Sequence, residues 1–146
     1  MNKEVLPKRD RRLFLIIAIT AFVGLADTIY LTVSHFQGSG VICSIVDGCN
    51  LVLGSSWATI LGVPMALIGS FYYLAVLFLL GFVYFRRSQL AFSGILAITT
   101  VGFIMSLGFL YLQIFVIEAL CEYCLLSLAA TTIIWIATLA QTHTQR

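Results

Sequence analysis

Four long apolar runs dominate the hydropathy pattern of this chain, at about 13–33, 61–85, 90–115 and 120–140, with polar residues confined mostly to the segments between and outside them. A helix needs roughly 20 apolar residues, at about 1.5 Å of rise each, to cross the hydrocarbon of a bilayer. Each run meets that length, which predicts four transmembrane helices. The first run follows basic residues, as a secretory signal does, but it is too long for a signal's apolar region and no small-residue cleavage site follows it, so it reads as a retained helix. Residues 34–60 form a loop whose second half, "NLVLGSSWATIL", turns apolar again and carries Trp57. Such a segment favours the membrane–water boundary. The predicted fold class is therefore an all-α integral membrane protein: one domain over 1–146, a four-transmembrane-helix bundle, with a short interfacial helix in the outer loop.

Composition strengthens this reading. Of 146 residues, 61% are hydrophobic and 10% charged, more apolar than a soluble domain of this length can hide in one core. The net charge of +2 is too small to imply nucleic acid. Position matters more than sum: Lys3, Lys8, Arg9, Arg11 and Arg12 precede the first run, Arg86 and Arg87 join the second to the third, and Arg146 ends the chain. With four crossings every Lys and Arg falls on one side, expected to be cytoplasmic together with both termini and the tail 1–12. Asp47, Glu118 and Glu122 fall on the other side, and Asp27 lies in the first run toward that same end.

All four cysteines, Cys43, Cys49, Cys121 and Cys124, map to the outer side. An even number in such a compartment points to disulfides, with two pairs the natural partition, and counting alone leaves structural staples and redox centres equally open. Placement favours redox chemistry. A bridge between Cys121 and Cys124 closes a tiny ring and adds little chain-entropy stabilisation, whereas Cys-x-x-Cys is the spacing of dithiol centres. If the last helix begins near Leu120, Cys121 occupies its first turn, where the helix dipole favours a thiolate, opposed by Glu118 and Glu122. Cys124 then lies roughly 4–5 Å deeper, so that one thiol faces the water boundary and the other the hydrocarbon. Gly38, Gly40 and Gly48 are expected to loosen the loop around Cys43 and Cys49, as a shuttle requires.

The ordered set of a loop pair, then "VLGSSWATILGVPMALIG", then Cys-x-x-Cys at the outer end of the last helix, with "YLT" in "GLADTIYLTVSHF", resembles the vitamin K epoxide reductase (VKOR) family over nearly the whole chain. The resemblance implies four transmembrane helices around a quinone, with Cys43 and Cys49 as shuttle cysteines and Cys121 and Cys124 as the active-site pair. By the same resemblance Ser55 is the loop serine near the quinone, and Cys124, Met65 and Leu128 belong to the quinone site. Met65 and Leu128 stand where animal members carry an asparagine and a tyrosine, so two polar contacts proposed for vitamin K chemistry are absent.

The resemblance also implies a relay. A reduced thioredoxin-like or DsbA-like protein attacks the Cys43–Cys49 bridge, a freed loop thiol attacks Cys121, and Cys124 delivers electrons to a ubiquinone, menaquinone or vitamin K type quinone. The partner is expected in trans, because no βαβ pattern follows the last run. Disulfide formation in exported proteins is favoured over vitamin K recycling of the animal type: five residues separate Cys43 from Cys49, and "AQTHTQR" lacks a dilysine ending. A DsbB-type oxidase performs the same task but carries its Cys-x-x-Cys in the first outer loop. Two rival classes are a zinc site built from four thiolates and a structural scaffold with inert disulfides.

Other polar residues have plainer alternatives. Asp27 either relays protons to a reduced quinone or bonds neighbouring donors near its helix end. His35 is expected to be a solvated loop residue, Ser55 to cap or turn if it does not touch the quinone, and Trp57 to anchor at the interface. Gly62 and Pro64 are expected to shape the start of the second helix, Pro64 within its first turn. Gly94, Gly102, Ser106 and Gly108 fit close helix packing. Tyr111 or Phe71 are candidates to line the quinone pocket.

Overall fold

The structure, a computed structural model, describes residues 8–45, 47–86 and 89–145. The basic positions Lys3, Arg87 and Arg146 lie outside the described residues. Four long helices carry the architecture: α1 (Lys8–Gln37), α3 (Met65–Arg86), α4 (Gln89–Phe115) and α5 (Glu122–Gln145). All four are long and apolar enough to span a membrane, over 11–37, 65–86, 90–115 and 122–142. The all-α membrane bundle read from the apolar runs is thus present.

Three boundaries differ from the sequence pattern, each for a local reason. α1 runs on through Ser34 and His35 to Gln37, because nothing breaks it before Gly38, whose φ of +64° ends the helix. His35 is accordingly a residue of the last helical turn and not of a loop. The second transmembrane helix begins at Met65 and not near Leu61: Thr59–Ile60 (β1) pairs antiparallel with Val63–Pro64 (β2) across a two-residue turn. That turn needs positive φ at both central residues, and Leu61 and Gly62 supply +51° and +82°. Pro64 therefore sits in the strand before α3, outside its first turn. α5 starts at Glu122, which leaves Cys121 just before the helix.

The apolar half of the outer loop folds as α2 (Cys49–Leu53), a single 3₁₀ turn over Ser56–Ala58 and the small hairpin. Leu51, Trp57, Ile60 and Leu61 are exposed on it, Leu61 completely. A patch of that kind suits contact with an apolar boundary.

The long helices close a ring in which α1 and α4 each pack against α3 and α5. At the end of the α3–α4 connection the ring is filled by an apolar core that includes Ile17, Val76, Leu80, Ile95 and Ile134. Between α4 and α5, Phe103 stacks on Trp135 at 4.4 Å, and Trp135 Nε1 donates to Thr100 Oγ1 at 3.2 Å. Lipid-facing surfaces give little hydrophobic gain on association, so such packing and interhelical hydrogen bonds hold the ring. Of the four small residues expected to permit close helix packing, Gly102 does so: a Cβ there would overlap the Tyr72 ring. Gly108 faces open space, Gly94 makes only ordinary contact, and Ser106 lines a cavity. At the opposite end from the core lie the cysteines, and the cavity lies between.

Candidate active site

A second buried cluster is built from Cys49, Val52 and Cys121, with Cys43, Phe109, Tyr123 and Cys124 packed around it. Distant sequence converges there because three devices shape the loop and seat it against the start of α5. The first is a glycine. A Cβ on Gly48 would collide with the backbone of Leu120, so only glycine lets the loop seat beside Cys121. Gly48 thus serves close approach and not looseness, and Gly40 lies 3.5 Å from Asn50 Oδ1 by the position its Cβ would take.

The second device is Asn50, whose Oδ1 accepts the Val41 N–H at 2.9 Å and whose Nδ2 donates to the Val41 carbonyl at 3.3 Å. This side chain pairs with one residue's backbone as a neighbouring strand would. The third comes from the two residues inside the Cys-x-x-Cys. Glu122 accepts the N–H groups of Ser44 and Ile45, each at 2.9 Å, on separate carboxylate oxygens, and Tyr123 Oη donates to the Ile42 carbonyl at 2.9 Å. The loop that the glycine count makes mobile is docked.

Within this frame Cys43 and Cys49 form a disulfide with Cα atoms 6.3 Å apart, while Cys121 and Cys124 are free thiols. Cys49 and Cys121 are both 0% exposed, whereas Cys43 is half-buried. The expectation that Cys121 faces the water boundary is corrected here: the docked loop covers it.

Cys121 stands at the N-cap position of α5, its carbonyl accepting the Leu125 N–H at 3.0 Å and its own N–H donating to Gln113 Oε1 at 3.0 Å. Gln113, 2% exposed, also accepts the Ala119 N–H on its main-chain carbonyl at 3.1 Å, and so fixes the turn where Glu118 takes a φ of +54°. The Cys121 thiol is held below its ordinary range, first by a hydrogen bond from the Cys124 side chain and then by the N–H groups of Cys124 and Tyr123. Burial opposes that shift. A thiolate here is an N-cap acceptor, a variant of the helix-terminus effect expected from its position.

Beneath the cluster a cavity of about 470 Å³ opens between the four helices, within the range of small-molecule sites, about 300–1,000 Å³. Cys124 is the one cysteine on its wall. Met65 and Leu128 line it, as do Asp27, His35, Ser106 and Gln113. Ser55 is placed elsewhere: its Oγ donates to the Val52 carbonyl at 2.7 Å, a turn role, while its neighbours Gly54 and Ala58 reach the wall. Tyr111 and Phe71 are exposed on the outside, and the tyrosines on the wall are Tyr72 and Tyr73.

The sequence profile of the vitamin K epoxide reductase family matches residues 15–139. The chain belongs to that family. VKOR proteins are membrane redox enzymes that couple thiols and disulfides to quinones, and this chain carries the multi-pass helices and the disulfide-forming cysteines of such an enzyme. The cavity fits the group that VKOR chemistry requires. Its wall is mainly aliphatic and aromatic, and two of its residues, Asp27 and Tyr72, each hold a buried polar atom, Oδ2 and Oη, with no hydrogen-bond partner among the described residues. A flat ring bearing two oxygens matches that combination of apolar wall and open polar atoms. Gln113, Tyr72 and Tyr73 escape a reading by motif because each is one more residue of an apolar helix; only their inward position distinguishes them.

Proposed function

We propose that this protein reoxidises a thioredoxin-like protein supplied in trans and passes the electrons to a membrane quinone, supporting disulfide formation in exported proteins. Both termini are cytoplasmic and the four cysteines face the periplasm or cell exterior, a reading supported by the basic residues gathered on one side of the crossings. The observation that carries the proposal is the graded burial of the sulfurs. Half-buried Cys43 is the one a soluble partner reaches, Cys49 shares an enclosed cluster with Cys121, and Cys124 alone lines the cavity.

That order assigns each exchange. A partner thiolate attacks Cys43 and frees Cys49, and the second partner thiol then releases Cys43. Cys49 attacks Cys121 of the oxidised membrane pair and displaces Cys124, after which Cys43 attacks Cys49, closes the loop bridge and frees Cys121. A quinone, when bound, supplies a two-electron, two-proton acceptor. Cys124 presents its sulfur to the cavity, and Cys121 closes the bridge behind it. Met65 and Leu128 give the pocket apolar contacts, which favours a plain quinone over an epoxide that needs polar anchoring.

The test is anaerobic quinone reduction by the purified protein with a reduced thioredoxin-like protein, comparing wild type with Cys124→Ala and Cys43→Ala. Quinol is expected from wild type alone. A wild type that makes none while its disulfides stay intact returns the scaffold reading.

A further inference from the structure

An ionisable side chain within a membrane span is costly unless it is paired or meets a ligand. Asp27 is 7% exposed, lines the cavity from α1, and leaves Oδ2 without a hydrogen-bond partner among the described residues. The hydroxyls around it are engaged elsewhere. Thr28 Oγ1 donates to the Gly24 carbonyl at 3.0 Å, Ser70 Oγ donates to Thr28 Oγ1 at 3.1 Å, and Tyr73 Oη lies 2.9 Å from Ser127 Oγ and 3.2 Å from Thr131 Oγ1. A buried polar atom left open beside a cavity calls for a partner from within that cavity.

The same face of α1 continues toward the outer loop. Asp27, Leu31, Ser34 and His35 all line the cavity, at positions i, i+4, i+7 and i+8 of one helical face. His35 lies about 12 Å from Asp27 along the axis by the helical rise, and its side chain is exposed. Ser34 and His35 thus lie toward solvent at the loop end of that face, and Asp27, with its unpaired carboxyl oxygen, lies beyond Leu31 at the deeper end.

We propose that Asp27 donates a proton to the quinone as Cys121 and Cys124 are oxidised, and that Ser34 and His35 lead water to it from the outer end of the cavity. This rests on the quinone reading of the cavity. When Cys121 reacts as a thiolate, the proton count requires a second donor. With Cys121 as thiolate and Cys124 as thiol, the pair brings two electrons and one proton, while quinol formation consumes two of each. The Cys124 S–H bond breaks, the Cys121–Cys124 bond forms, and both electrons pass to the quinone. The Cys124 proton goes to one ring oxygen and the Asp27 proton to the other, and the Asp27 carboxylate is reprotonated from water. The titratable groups that share the cavity wall with Asp27 are Tyr72 and Tyr73 of α3, Cys124 of α5 and His35 of its own helix, with Cys121 and Tyr123 acting on it from beyond the wall; the α4 residues on the wall are all neutral.

The experiment mixes the anaerobically reduced protein with a short-chain benzoquinone, for wild type, Asp27→Asn and Asp27→Glu. It follows the infrared carboxylic C=O band and the single-turnover rate of Cys121–Cys124 disulfide formation across pH. In wild type the band is expected to fall as quinol forms and then to recover. In Asp27→Asn the band is absent, the rate is at least tenfold lower and its pH dependence is lost, while Asp27→Glu restores part of both. Reduction of the Cys43–Cys49 bridge by a soluble dithiol stays unchanged in all three, which reports an intact fold. A wild-type carboxyl band that does not change during turnover overturns the proposal even if the asparagine variant does not fold. So does an Asp27→Asn protein with wild-type rate and pH profile, which leaves quinone reduction itself standing. A wild type that forms no quinol overturns both.

Discussion

Removing the Glu122 carboxylate separates internal electron transfer from the external reaction with a partner. Its two oxygens hold the N–H groups of Ser44 and Ile45, directly after Cys43, at 2.9 Å each. A charge-assisted hydrogen bond contributes about 1.5–3 kcal/mol in general, but these lie at the exposed edge of the site. Solvent screening reduces them to roughly 0.5–1 kcal/mol apiece, about 1–2 kcal/mol for the pair. At 1.4 kcal/mol per tenfold, Glu122→Ala lowers the docked fraction of the loop, relative to undocked, by about 5- to 30-fold. Glu122→Gln keeps one acceptor oxygen and falls between.

The assay uses a Cys43→Ala background, in which the Cys49–Cys121 mixed disulfide is not resolved and accumulates. Its equilibrium yield, read by mobility shift or intact mass, measures how strongly the fold presents Cys49 to Cys121. Adding Glu122→Ala is expected to cut the ratio of mixed disulfide to unreacted protein by the same factor. In the protein with all four cysteines, the same substitution leaves reduction of the Cys43–Cys49 bridge by a soluble dithiol no slower than in wild type. Unchanged mixed-disulfide yield refutes the argument that Glu122 docks the loop; loss of both reactions together shows general unfolding in its place.

The same geometry makes three further outcomes testable. Gly48→Ala places a methyl against the Leu120 backbone and is expected to lower the mixed-disulfide yield at least as much as Glu122→Ala, with the cavity-forming helices unaffected by circular dichroism. Cys124→Ala removes the hydrogen bond that most lowers the Cys121 thiol, so thiolate absorbance of Cys121 titrates at higher pH than in wild type. Because that thiol is held down in the folded state, its contribution to stability is present above the ordinary thiol range and is lost as pH falls through the lowered value, a pH dependence that thermal denaturation shows shrinking in the variant. Tyr73→Phe removes the hydroxyl that joins Ser127 and Thr131 and is expected to destabilise by about 1–2 kcal/mol, read as a lower melting temperature in detergent.

The bundle was legible because bilayer length and apolar runs are the same quantity seen twice: 90–115 in the sequence is α4 within one residue at its start. The interfacial half of the loop was legible for a similar reason, since Trp57 and its apolar neighbours have no place in a water-exposed loop. The docking of that loop was not legible. Glu122 read only as a charge opposing a Cys121 thiolate and Tyr123 drew no reading, because their partners are main-chain groups of residues 42–45, which carry no side-chain signature. Gly48 read as a source of freedom because sequence does not distinguish a glycine needed for motion from one needed for contact. Leu61 hid the hairpin for the opposite reason: a leucine with positive φ defies its own preference, and only the pairing of Thr59 with Pro64 and Ile60 with Val63 requires it. Asp27 was the one inward-facing residue that the apolar pattern exposed, because a carboxyl group in such a run has few explanations.

If the proposed relay operates, the uneven treatment of the two membrane thiols gives it a direction. In thiol–disulfide exchange a sulfur whose thiolate is stabilised leaves more readily. Cys121, capped by the start of α5 and by Cys124, is the stabilised leaving group when Cys43 attacks the Cys49–Cys121 bond. Resolution therefore runs toward a closed loop bridge and an open membrane pair, the same distribution of sulfurs that the structure holds. In that state the loop is ready for the next partner while the reducing equivalents rest on the pair whose outer member is sealed by Cys49 and whose inner member opens on the cavity. Back-transfer requires the enclosed, charge-stabilised Cys121 to act as nucleophile, a task for which a lowered thiol is intrinsically less reactive. In the proposed relay this leaves quinone reduction through Cys124 as the forward path, with electrons passing from the docked loop to the cavity.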